Sequence, residues 1–282
     1  MISAQMDELL KNFDGKAGVY LKNLTSGKTF EHNAEELFPS ASLIKVPILM
    51  VLFEKIESGI FSYNQLLKYD GKYDYTGETD VVNSLSVNAE IPLGKLIHLM
   101  INFSDNSASK WCQALAGGGK EINDWLSKHG FQQTRVNAQT PGRETQRNRY
   151  GWGQTTPREM ARMLTYLFRK RLISATASDK MYRILSKTYL DAGAISQIPP
   201  FINAASKQGC IAQSRSEVIL VNAPTCDYVL CVITDKQQDR SWNNENNGHQ
   251  LIRKISKIMW QEFEPVSNWK PEKSASRYYS NY

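Results

Sequence analysis

The chain has 282 residues, 41% of them apolar, enough to bury a substantial core as one continuous unit. Its formal charge of +6 is spread along the sequence, densest at Arg143, Arg147, Arg149, Arg158 and Arg162, and no nucleic-acid-binding motif accompanies it, which excludes a nucleic-acid partner. No segment is long and apolar enough to span a membrane, and the four cysteines and four histidines are too dispersed for metal ligation, so neither a metal nor another cofactor is expected.

In chain order, the pattern predicts a helix over residues 3–13, strands over 17–23 and 28–31, and a buried helix opened by Ser42 and carried by Leu43, Ile44, Val46, Ile48, Leu49, Met50, Val51 and Leu52. A polar linker rich in Asp, Tyr and Gly follows over 67–83. Two apolar helical stretches, 92–103 and 107–116, flank Ser104-Asp105-Asn106. The glycine run Gly117-Gly118-Gly119-Lys120 is not a phosphate loop, because Glu121 follows the lysine and no strand precedes it. Beyond a polar loop over 134–154, strands over 201–207, 217–221 and 228–234 read as a β-meander, then a helix over 247–263. The tail, 264–282, reads as mobile unless its Trp and Tyr residues dock.

Three short motifs carry the chemistry. In Ser42-x-x-Lys45 the two side chains share a helix face; the pair fits either a helix cap with a snorkelling lysine or a hydroxyl nucleophile with its base. Ser107-x-x-Lys110 has the same spacing, and Ser267-x-x-Lys270 repeats it in the polar tail without the apolar frame. Ser104-Asp105-Asn106 fits an ordinary helix start, or a hydroxyl that passes a proton beside an amide that holds Lys45 and a substrate carbonyl. Lys207-Gln208-Gly209 fits a solvated lysine beside a bulge, or a strand edge along which a substrate lies.

Together the three motifs resemble those of the class A β-lactamase and penicillin-binding-protein superfamily, Ser-x-x-Lys, Ser-Asp-Asn and Lys-Thr-Gly. The resemblance covers roughly residues 4–263. It extends to Gly15-Lys16-Ala17-Gly18-Val19-Tyr20 and Thr155-Thr156-Pro157-Arg158-Glu159-Met160-Ala161. It implies an α/β fold of β-lactamase type: an antiparallel sheet built from both chain ends, flanking helices, and a mainly helical lobe over about 42–190 inserted between, in one domain of residues 1–263. It further implies a serine hydrolase that cleaves an amide or ester, a β-lactam or a D-amino-acid peptide, through an acyl-enzyme at Ser42. Lys45 would be base or relay, Ser104 the proton donor, and Lys207 an electrostatic partner. The backbone N–H groups of Ser42 and Cys210 would form the oxyanion hole.

By the same resemblance Asn106, Gln208, Gly209 and Arg215 would contact a small-molecule or peptide substrate bearing a carboxylate, drawn to a basic cleft. Two departures bear on the activity. Gln208 replaces the usual hydroxyl residue, leaving Arg215 either to take over the carboxylate or to pair with Glu217. The glutamate that clears the acyl-enzyme is replaced by an Asn or Gln, and Glu144 is either a substitute base or the partner of Arg143 and Arg147. A D,D-peptidase or esterase with weak β-lactam turnover, and a sensor that acylates without release, are the alternatives. Residues 1–16 are amphipathic and do not read as a signal peptide, so the location is cytoplasmic if Met1 is the native start and periplasmic or secreted if an export signal has been removed.

Overall fold

A computed structural model describes residues 2–75 and 80–272. Helix α1 (Ile2–Lys11) leads into the hairpin β1 (Lys16–Asn23) and β2 (Thr29–His32). A short β3 (Phe38–Pro39) and a 3-10 turn (Ala41–Ile44) then feed α2 (Lys45–Glu57). The ribbon β4 (Leu66–Lys68) and β5 (Glu90–Pro92) precedes α3 (Leu93–Asn102), α4 (Asn106–Leu115) and α5 (Gly118–Lys128). After β6 (Arg135–Val136), α6 (Glu144–Tyr150) and β7 (Gly153–Thr155) come α7 (Pro157–Phe168) and α8 (Ala175–Leu185). The chain closes with β8 (Ala204–Ile211), β9 (Ser214–Asn222), β10 (Asp227–Asp235) and α9 (Asn247–Phe263).

The five long strands pair antiparallel in the order β2-β1-β10-β9-β8, so the first and last strands of the chain share one sheet, as the sequence implied. Both faces of that sheet are apolar because both are covered. On β9, Val218 and Leu220 join the core under the helical lobe, while Ile219 and Val221 join the core under α1 and α9. On β10 the same alternation sends Val229, Cys231 and Ile233 one way and Tyr228, Leu230 and Val232 the other. Helix α2 runs through the centre of the lobe and buries every residue from Lys45 to Phe53, which explains its nearly continuous apolar sequence.

The strand expected from Phe201 begins three residues later. Pro199-Pro200 and the Pro199–Ile202 turn hold the segment out of the sheet, and Phe201 is exposed. The start of the tail is docked: Thr225 N donates to Glu264 Oε1, and Trp269–Glu272 border a cavity with residues 199–203. The mobility expected for the remainder of the tail falls outside the described residues. No helix among the described residues is long and apolar enough to cross a membrane.

The fold thus leaves β8 as the edge strand of the sheet, lying against the turn that carries Ser42.

Candidate active site

The Ser42 turn is gripped from two sides by glycines. A Cβ on Gly209 of β8 would stand 3.0 Å from both the Ala41 Cβ and the Ser40 carbonyl, and one on Gly153 of β7 would stand 2.6 Å from Ser40 Oγ. Only residues without a side chain let the backbones close to this distance. Ser40 N also donates to Gly153 O at 2.9 Å. Between these clamps Ala41 adopts a left-handed backbone, φ +44°, a conformation that costs an L-residue about 1–2 kcal/mol and is tolerated because the packing dictates it. Ser42 follows, partly exposed on the cleft, and Lys45, one helical turn on, is fully buried.

The second motif sits in a left-handed corner between α3 and α4, with Ser104 at φ +57°. Lys45 Nζ donates to the Ser104 carbonyl, to Ser104 Oγ at 3.1 Å and to Asn106 Oδ1 at 2.9 Å. From the opposite side Lys207 Nζ donates to Ser104 Oγ at 3.0 Å and to the Gln208 carbonyl at 2.9 Å. One hydroxyl therefore bridges two lysine amines carried by different lobes. Lys207 is fully buried, and its pKa lies well below the ordinary lysine value, chiefly because burial penalises the charge and secondly because Lys45 stands close, with Glu217 opposing. An amine whose pKa is depressed gives up its proton more readily than a free lysine, and a hydroxyl between two amines is a short proton path.

Asp105 does not enter this chemistry. It caps α4 by accepting from Ala108 N at 2.7 Å and ties down the preceding loop through Val82 N at 3.1 Å. Burial raises its pKa. Asp80 accepts from the N–H groups of Asn106 and Ser107 at 2.8 and 2.9 Å, fixing the same corner from outside the motif.

Ser42, Ser104, Asn106 and Cys210 line one cleft of about 800 Å³. Gly209 sets the contact between the Ser42 turn and β8, bringing the Cys210 backbone alongside. The Cys210 thiol is pushed up to about 12, chiefly by burial, so it stays protonated.

Four other expectations are corrected. Gln208 does not face the cleft: it pairs across the sheet with Glu217 and lies on the opposite face of β8 from Lys207, since neighbours on a strand alternate. Its amide donates to Leu190 O at 2.6 Å and Glu217 Oε1 at 3.2 Å, and Glu217 also accepts from Ser206 Oγ and Ala194 N. Arg215 is fully buried; its guanidinium donates to the carbonyls of Ile211, Ser214 and Ser241 and rests against the Trp242 ring, taking neither a carboxylate in the cleft nor Glu217. Glu144 is exposed at the start of α6, accepts from Gly142 N, and borders a separate pocket with Asn137 and Gln139. Nor is the cleft wall basic: among the described residues its charged groups are Asp80 and Asp105, while Lys45 and Lys207 lie buried beneath Ser104.

The sequence reading also missed the aromatic wall, which includes Tyr75, Phe103, Trp152, Tyr189 and Trp242, because scattered aromatics have no periodic signature. It missed Glu159 as well, although Thr156-x-x-Glu159 is a capping-box spacing. Thr156 Oγ1 does cap the helix, but the Glu159 carboxylate turns to accept from the N–H groups of Gln132, Gln133 and Thr134 and from Thr134 Oγ1, pinning the start of the loop that ends at β7.

This fold recurs in known proteins. A family model described as "Beta-lactamase enzyme family" matches residues 1–263. The chain is 22% identical over 279 residues to Beta-lactamase VEB-1 of Pseudomonas aeruginosa, an alignment covering 93% of this chain and 90% of that protein. The solved structure of PBP-A superposes with a TM-score of 0.83 at 24% identity, covering 94% of this chain and 96% of that one. A β-lactamase from Sphaerobacter thermophilus superposes with a TM-score of 0.81 at 21% identity, covering 94% and 97%. The chain belongs to the β-lactamase enzyme family and is a serine hydrolase of that fold.

Proposed function

We propose that the protein cleaves an amide or ester of a small molecule or peptide through an acyl-enzyme on Ser42. The observation that carries this reading is the Ser104 hydroxyl held between the Lys45 and Lys207 amines, at 3.1 and 3.0 Å, beside Ser42 in a single cleft. Ser42 Oγ attacks the carbonyl carbon and loses its proton to Lys45. The oxygen that gains charge is met by the N–H groups of Ser42 and Cys210, each such donor worth about 10²–10³ in rate. The proton travels through Ser104 to the leaving atom, and Lys207 holds the Ser104 hydroxyl in place.

Release of the acyl group is the slow half of this cycle. Among the described residues the carboxylates bordering the cleft are Asp80 and Asp105, and both already accept backbone N–H groups; Glu144, Asn137 and Gln139 face another pocket. That placement favours a peptidase-like or sensor-like enzyme over a fast β-lactamase. A PBP-A mutant is known as an acyl-enzyme complex with penicillin G, which accords with a scaffold that holds such an adduct.

The test is intact-mass spectrometry over time with benzylpenicillin and, separately, an uncharged phenyl ester, using Ser42→Ala as the control. A Ser42-dependent adduct that decays slowly is expected with at least one of the two. Reaction of neither, or equal labelling of Ser42→Ala, overturns the reading.

A further inference from the structure

One end of the cleft is aromatic where a carboxylate seat was expected. Tyr189 N donates to Asn102 O at 3.0 Å, clipping the loop after α8 to the corner that carries Ser104. This clip stacks Phe103 on Tyr189, ring centroids 5.1 Å apart and planes 23° from parallel, with about half of each side chain exposed. Phe103 adjoins Ser104 in the chain, and the pair lines the same cleft as the hydroxyl that would hand its proton to the leaving atom. Trp242, 52% exposed, lines the same cleft beside Cys210 and Ile211.

Beneath Trp242 lies the Arg215 guanidinium, 5.1 Å from the ring centroid, its Nε buried without a partner and its other nitrogens on carbonyls. A carboxylate entering here would meet an indole face rather than a free cation. An uncharged ring would instead find the exposed aromatic faces of Phe103, Tyr189 and Trp242 in the same cleft, and aromatic contacts of this kind add about 0.5–1.5 kcal/mol beyond area burial.

We propose that Phe103, Tyr189 and Trp242 seat an uncharged aromatic leaving group, and that Trp242 sets the specificity by covering Arg215 against carboxylates. The substrate class is thus an aryl ester or arylamide without a negative charge on the departing group. The inference rests on acyl transfer at Ser42. In that step the Ser42 Oγ–acyl bond forms as the bond to the aryl oxygen breaks, the Ser42 proton leaves with the phenol, and water later cleaves the acyl–Oγ bond.

The test compares two esters of N-acetylglycine, phenyl and m-carboxyphenyl, on the full chain; the meta position keeps the two phenols similar as leaving groups. Phenol release in the first turnover is expected to be at least about tenfold more efficient for the phenyl ester, from the stacking gained and the desolvation of a carboxylate avoided. In Trp242→Ala that preference is expected to fall about tenfold or more, since the phenyl ester loses its ring contact and the carboxylate gains a guanidinium, a charge-assisted hydrogen bond. A general loss of structure lowers both esters together and does not move their ratio in this direction. Trp242→Leu, which keeps the guanidinium covered, is expected to preserve discrimination against the carboxylate.

Equal efficiencies in the wild type, preference for the m-carboxyphenyl ester, or an unchanged ratio in a folded Trp242→Ala overturns the proposal while leaving acyl transfer at Ser42 intact. Reaction with the phenyl ester that persists in Ser42→Ala, or no reaction with either ester, overturns the proposal and, in the first case, acyl transfer at Ser42 with it.

Discussion

Gly209→Ala is the substitution that most directly tests whether the contact between β8 and the Ser42 turn builds the site. The new methyl would lie 2.5 Å from Ser216 Oγ, 3.0 Å from Ala41 Cβ and 3.0 Å from the Ser40 carbonyl. Ser216 can rotate its hydroxyl away. The other two neighbours cannot yield so cheaply, because Ala41 is fixed at φ +44° and Ser40 is tied through its N–H to Gly153. The turn and the edge strand must therefore part by a few tenths of an ångström. Overpacking of this kind costs about 1–3 kcal/mol, which for a chain of this size corresponds to a melting-temperature drop of about 2–10 °C. The separation also moves the Cys210 N–H away from its counterpart on Ser42, and acylation of Ser42 is expected to slow by up to about 10²-fold. The assay is the first-turnover rate with the uncharged phenyl ester, read beside a thermal melt. Cys210→Ala is the companion: it leaves the backbone donor in place and is expected to change the rate by less than about threefold, consistent with the side chain's minor role. Wild-type acylation and melting in Gly209→Ala would refute the argument that this glycine sets the site.

Three further outcomes follow from the charged groups. Unfolded, Lys207 titrates near 10.5 and keeps its proton at pH 7, whereas in the fold burial and Lys45 remove it at lower pH, so the unfolded state binds more protons and stability rises with pH up to about 10.5. Lys207→Met is expected to reduce that rise, so that denaturant midpoints of wild type and variant converge or cross between pH 7 and 10; parallel profiles would count against the depressed pKa. Glu159→Ala strands the N–H groups of Gln132, Gln133 and Thr134 and is expected to cost about 2–4 kcal/mol in urea unfolding. Glu144→Ala is expected to leave decay of the acyl adduct within about twofold of wild type, because Glu144 borders a different pocket; a tenfold slower decay would return it to the site.

Much of this protein was written in the sequence by itself. Apolar runs over 217–221 and 228–234 marked the strands of the β-meander, and the unbroken apolar stretch after Lys45 marked a buried helix. Ser42, Lys45, Ser104 and Lys207 were legible because each lies in a short motif and the three motifs together resemble a known set. What only the tertiary structure decided was direction and company. Strand alternation alone indicates that Lys207 and Gln208 face opposite ways, but which of them meets the cleft depends on which face of the sheet the helical lobe covers. Whether Arg215 reaches a substrate depends on Trp242, far along the chain, and whether Glu144 can serve Ser42 depends on how the loop ending at β7 folds against α4 and α5. The aromatic end of the cleft arises where the corner after α3 is clipped to the loop after α8. Such long-range placements are set by packing between distant segments, and no local pattern encodes them.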